Sequence, residues 1–152
     1  MGSLDGIKVL DLTHYVAGPY CTLLLADAGA DVIKIEPLSG DIIREFPSTF
    51  DGESRLFLGL NRNKRSVAVN LKEKEGKEIV LEMCEKVDVF VEGYRPGVIE
   101  NLGLGPDELI SRNPKLVYLS ISAFGLKSQT ARLISLSSNL KQFPKQSFDI
   151  LR

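Results

Sequence analysis

A single histidine, His14, lies in the stretch "DLTHYVAGPY" (residues 11–20), between the apolar run "IKVL" and the pair Gly18-Pro19. An imidazole at that point could take a proton, touch a ligand, or only satisfy its own hydrogen bonds at the start of a loop. The two cysteines, Cys21 and Cys84, are far apart and in no CxxC pair. With one histidine they support neither a zinc site nor a disulfide framework, and they read as buried thiols of a reducing compartment. Asp41 and Arg44 stand three apart and read as a surface pair of little energetic weight. The cationic cluster "NRNKR" (61–65) is an ordinary solvated loop unless a cleft gathers it, and Lys72 reads as solvent-exposed. Tyr94, in "EGYRPG", is the stronger lead, because an aromatic ring on a loop offers a stacking face.

The elements that must carry these residues alternate. "IKVLDL" (7–12) and "ADVIKIE" (30–36) are of strand length, and the segment opening at Pro19 and closing at Gly29 reads as the helix between them. "RSVAVNL" (65–71) alternates as a strand, and Ile79, Met83 and Val87 share one face of a helix over 73–86. "DVFVE" (88–92) and "KLVYLSIS" (115–122) are further strands, and Pro106 with Asp107 and Glu108 starts a short helix. This order predicts an α/β fold, a parallel, doubly wound sheet with helices on both faces and right-handed crossovers. Residues 37–64 read as one long polar connection, a length that points to a functional loop. Ligands of such sheets bind beyond the carboxyl ends of the strands. There lie "THYVAGP", "EPLSGDIIR" and "EGYRPG". No GxGxxG and no GxxxxGK[ST] is present, so the common dinucleotide and nucleoside triphosphate motifs are missing. Gly18-Pro19 at a helix start still leaves N–H groups that could face a phosphate.

The 152 residues suit one domain, with 43% hydrophobic and 26% charged residues. A net charge of −1 gives no general case for nucleic acid or an anionic membrane. No apolar run approaches a membrane span, no secretory h-region opens the chain, and Gly6 replaces the hydroxyl residue a myristoylation signal wants. The composition breaks at Gly125. All 13 glycines lie at or before it, and residues 126–152 carry a charge of +4 against −5 for the rest. The tail is expected to be poorly packed and outside the core. "LISLSSNL" fits half a helix or a strand, and Pro144 interrupts "KQFPKQSFDILR".

Taken in order, four segments resemble class III CoA-transferases, the group of formyl-CoA transferase, carnitine CoA-transferase and alpha-methylacyl-CoA racemase. They are "LDGIKVLDLTHYVAGPYCTLLLADAGADVIKIEPLSGD", "NRNKRSVAVNLKEKEGKEIV", "DVFVEGYRPGVIENLGLG" and "NPKLVYLSISAFG". The likeness covers about residues 4–125, only the first part of that family's chain. It implies a Rossmann-like domain, incomplete relative to the family's interlocked-ring dimer, with coenzyme A or acyl-CoA bound at the strand ends. The positions matching the family's CoA contacts are His14, Tyr15, Val16, Ala17, Val69, Lys72, Tyr94, Asn101 and Leu102. Formyl-CoA transferase has arginine, asparagine and arginine where Pro37, Gly93 and Asn101 stand here, which counts against formyl-CoA or oxalate specificity.

By the same resemblance, the reaction moves CoA from an acyl-CoA to a carboxylic acid through an aspartyl intermediate, without a metal. The family's aspartate is expected beyond the matching region. The tail has no TGP and one carboxylate, Asp149, and no histidine follows His14 to serve the racemase branch. The sequence therefore divides into residues 1–125, the N-terminal part of a CoA-transferase Rossmann-like domain, and a divergent tail, 126–152. The expectation is a truncated N-terminal portion that transfers nothing alone. A non-catalytic CoA-binding or dimer-forming fragment and a racemase relative are the alternatives. Cytoplasm is the default location, with mitochondrion or peroxisome open in a eukaryote.

Overall fold

The computed structural model describes residues 2–122 and the backbone of 147–151. Six strands form one sheet: β1 (Lys8–Leu12), β2 (Asp31–Glu36), β5 (Lys64–Ala68), β6 (Val89–Glu92), β7 (Val117–Ser122) and β8 (Ser147–Leu151). Their spatial order is β5-β2-β1-β6-β7-β8. The first five are mutually parallel, as the alternation of apolar runs and helices requires, and β8 joins β7 antiparallel. The sheet is thus mixed at one edge, where the sequence pattern suggested only parallel strands. Five residues of the tail read as outside the core supply that edge strand. "LISLSSNL" lies outside the described residues.

Helices cover both faces. α1 (Ala17–Asp27) follows β1, and its Ala26 joins Val9, Val32 and Val91 of the strands in one apolar cluster. α3 (Lys74–Cys84), α4 (Val98–Asn101) and α5 (Pro106–Arg112) cover the other face, over Leu10, Leu12, Val80, Cys84, Phe90, Ile99, Leu109 and Tyr118. Each large side chain fully buried there stabilises by about 1.5–3 kcal/mol. α1 begins two residues before Pro19, with Tyr20 N–H donating to the Val16 carbonyl. Proline is still tolerated there, because the N–H groups of a first turn have no intrahelical acceptor.

Residues 37–64 are not one loop. They hold a 3-10 turn (Ile42–Glu45), a two-strand hairpin of β3 (Thr49–Phe50) and β4 (Glu53–Ser54), and α2 (Arg55–Asn61). A small core of Ile43, Phe57 and Leu60 supports them, too short in sequence to show a helical or strand period.

Two glycines set close approaches that position the carboxyl ends of the strands. A Cβ on Gly18 would stand 2.2 Å from Thr13 Cβ, and one on Gly76 would stand 2.1 Å from the Asn70 carbonyl oxygen. Only hydrogen fits at either place, so the first turn of α1 presses on the loop after β1, and that of α3 on the loop after β5.

Candidate functional site

Strand order reverses between β1 and β6, since β1 is followed in space by β2 on one side and β6 on the other. That switch point is where open α/β sheets leave a crevice. His14 leaves β1 and Tyr94 leaves β6 at its two lips, and their side chains meet. His14 Nε2 lies 3.0 Å from Tyr94 Oη, with the rings edge-to-face at 82° and centroids 5.2 Å apart. Burial, then the neighbouring Lys34, push the His14 pKa below its ordinary value. Burial, then Glu92, push the Tyr94 phenol up. Both rings are therefore neutral near pH 7, and the phenol can donate to an unprotonated Nε2.

The crevice opens into a cavity of about 510 Å³. Three strand-end loops wall it. His14 comes from the first, Pro37, Leu38 and Ser39 from the second, and Val69 through Lys72 from the third; Tyr94 and Leu102 close it. Lys72 is exposed at the rim, where an ammonium can meet an anionic group as a point charge. The size and the mainly apolar walls suit an organic ligand carrying a few charged groups.

Charged side chains under the cavity hold its walls. Lys34 Nζ, inside β2 and 1% exposed, donates to the Thr13 carbonyl at 2.7 Å and pairs with Asp41 Oδ2 at 2.8 Å. Asp41 Oδ1 accepts from Ile43 N–H and so caps the 3-10 turn. Arg44 grips both oxygens of Glu36, at 2.7 and 2.8 Å. Burial pushes Glu36 up, but the hydrogen bonds from Arg44, Ser66 and Asp41 N–H outweigh it and hold the carboxyl at about 2. Asp41 and Arg44 thus do not pair as side chains in the way their spacing suggests. Each takes a partner from β2.

Deeper still, Asp11 is fully buried. It accepts from Thr13 N–H at 2.9 Å, from the Thr13 and Thr22 hydroxyls at 2.5 Å each, and from Lys64 Nζ at 3.1 Å. The cluster "NRNKR" is accordingly split: Lys64 turns inward, while Arg62 pairs with Asp27 and Arg65 with Asp31.

Of the nine residues singled out from sequence, the cavity gathers His14, Val69, Lys72, Tyr94 and Leu102. Tyr15 and Val16 are exposed beside it, Ala17 is half-buried at the start of α1, and Asn101 is exposed at the end of α4. None of these four lines the cavity, nor does Gly18-Pro19. Lys34, Asp41 and Asn70 were not singled out. The available signal was Lys34 itself, a charge inside an apolar run of a strand buried on both faces, where a charge is kept only with a partner. Among the described residues no cluster of histidine, cysteine and carboxylates could hold a metal ion, and no helix is long and apolar enough to cross a membrane.

Known proteins share this architecture. The Rv3272 protein of Mycobacterium tuberculosis superposes with a TM-score of 0.81 at 42% identity, over 86% of this chain and 37% of that one. A CAIB/BAIF family protein of Brucella suis gives 0.81 at 36% identity, over 86% and 36%. The succinyl-CoA:mesaconate CoA-transferase of Haloarcula marismortui is 46% identical over 130 residues, 82% of this chain and 33% of that protein. The human succinyl-CoA:glutarate CoA-transferase is 45% identical over 124 residues, 80% and 28%. This chain therefore spans about a third of the length of the curated relatives it matches. The family model described as CoA-transferase family III matches residues 4–142, past the compositional break at Gly125. With the family's fold present and the match running through nearly the whole sequence, the chain belongs to CoA-transferase family III.

Proposed function

We propose that the cavity at the switch point binds coenzyme A or an acyl-CoA, and that this chain is an N-terminal portion of a protein moving CoA from an acyl-CoA to a carboxylic acid. The observation that carries the reading is the convergence of His14, Val69, Lys72, Tyr94 and Leu102, chosen by family resemblance, on one cavity. His14 and Tyr94 supply a neutral polar lip, Val69 and Leu102 apolar contact, and Lys72 a cation for a phosphate. Tyr15, Val16, Ala17 and Asn101 serve as further contacts to the portion of CoA that extends past the cavity. The transfer itself proceeds through an aspartyl mixed anhydride, by resemblance to the transferase branch, and requires no metal. The nucleophile lies outside residues 1–125, residues 126–152 are a divergent tail, and the complete protein works as a homodimer in the cytoplasm, or in a mitochondrion or peroxisome.

A fragment that binds CoA without transferring it is the second reading, favoured by the chain's spanning about a third of its relatives. Calorimetric titration with CoA tests the binding site common to both. Lys72→Ala is expected to weaken CoA about fivefold, the loss of roughly 1 kcal/mol from one exposed phosphate contact. Unchanged affinity in that variant would remove Lys72 from the site, and no binding by the parent chain would remove the site.

A further inference from the structure

Lys34 occupies a place that no ligand contact explains. Its side chain is buried in β2, below the cavity, yet it does not line it. Its ammonium reaches two segments that do form the walls. One bond goes to the carbonyl of Thr13, the residue before His14. The other goes to Asp41, which closes the loop bearing Pro37, Leu38 and Ser39 and caps the turn after it. The first loop lies after β1 and the second after β2, so this one cation ties together the ends of neighbouring strands.

We propose that Lys34 is a positioning residue of this site, holding the His14 wall and the Pro37–Ser39 wall of the cavity at a fixed spacing. For its effect on CoA the inference rests on the function proposed above; for its effect on His14 it does not. The charged groups facing His14 are Lys34, Asp41, Asp11 and Glu36, and Tyr94 is its ring neighbour. Lys34 opposes a second positive charge on the imidazole, and Asp41 favours it. Removing either partner must therefore move the titration of His14 in opposite directions, which mere loosening of the fold does not do.

His14 is the only histidine of the chain, so its ring protons give one unambiguous NMR titration in the full 152-residue protein. Lys34→Met keeps much of the length and removes the charge and both bonds. It is expected to raise the His14 pKa and to weaken CoA about tenfold. Asp41→Asn removes the negative charge and one of the two acceptor oxygens, of which Oδ1 takes Ile43 N–H and Oδ2 takes Lys34, but leaves the bond from Lys34 to the Thr13 carbonyl. It is expected to lower the His14 pKa further and to weaken CoA less than Lys34→Met does, because the bond to the Thr13 carbonyl remains. Opposite displacements with the larger loss of affinity in Lys34→Met establish the proposal. Displacements in the same direction, or a folded Lys34→Met with unchanged titration and affinity, overturn it. If Lys34→Met does not fold, an unmoved His14 in Asp41→Asn overturns it equally. Divergent titrations in a chain that binds no CoA would sustain Lys34 as the clamp and defeat the CoA reading instead.

Discussion

Replacing Asp11 with alanine is expected to cost about 3–5 kcal/mol of folding stability, the range for breaking a buried ion pair from one side. The carboxylate accepts four hydrogen bonds, from two hydroxyls, one backbone amide and Lys64. Lys64 Nζ also donates to the Pro19 carbonyl, the Thr22 hydroxyl and Asn61, so Asp11 joins β1, α1, α2 and β5. Alanine would leave a buried cation with only neutral acceptors and two threonine hydroxyls in need of new ones. A domain of this size holds about 5–15 kcal/mol in total, so the loss would be a large share of it. Urea unfolding should show a lowered midpoint at unchanged slope, and an unchanged midpoint would show that the network stabilises nothing. Acid gives the same account. Burial pushes Asp11 up, but Lys34, Lys64 and the threonine hydroxyls outweigh it and leave the carboxyl below its ordinary 3.8; Glu36 sits at about 2 against 4.5. Groups depressed on folding contribute in full above their unfolded values, and the contribution fades as the pH falls through the folded ones. Parent stability should therefore decline below about pH 4.5, with the Glu36 share lost toward pH 2, and the Asp11→Ala variant should decline less steeply.

No hydroxamate is expected anywhere in this chain after incubation with an acyl-CoA and hydroxylamine, which traps activated aspartyl groups. Holding a nucleophile against the thioester carbon is worth about 7–11 kcal/mol of barrier, and a carboxylate displaced by ångströms forfeits most of it. Asp149, the tail's one carboxylate, falls within β8, its backbone in register with Ser120 of β7. A ladder position commits the backbone to strand pairing, whereas the family's aspartate is expected on a loop past a glycine-rich segment. Peptide mapping by mass spectrometry reads the result directly. A hydroxamate at Asp149 would make the tail a working replacement for that loop, and the proposed absence of transfer would fall.

The central parallel strands were legible because they are largely buried and read as short, mainly apolar runs such as "IKVL" or "DVFV", whereas β5, exposed at the border, was legible from its alternation. His14 and Tyr94 were each legible as strand-end residues, but their hydrogen bond spans 80 positions and follows only from the strand order. Asp11 and Lys34 were written in plain view as charges inside β1 and β2 respectively. What they pair with was not, since Asp41 arrives from a segment whose short elements carry no readable period and Lys64 from a cationic cluster that reads as a solvated loop. Arg44 illustrates the same limit: spacing offered Asp41 as its partner, and the fold supplied Glu36, with the guanidinium also lying 3.6 Å from the centre of the Phe57 ring. β8 was hidden for a further reason. Five residues joining an edge antiparallel need no crossover helix to announce them.

That added strand has a consequence for how the chain behaves in a crowded solution. β7 reads "VYLSIS", six residues with no charge, no proline and a high preference for extended backbone, the composition that favours self-templating β-assemblies. The opposite border of the sheet, β5, carries the exposed Arg65, a charged guard against strand addition. β7 has no such guard of its own and is shielded by backbone pairing to residues 147–151. A version of the chain cut back before Ser147 would present a bare, uncharged ribbon to its neighbours, and its enemy would be insolubility.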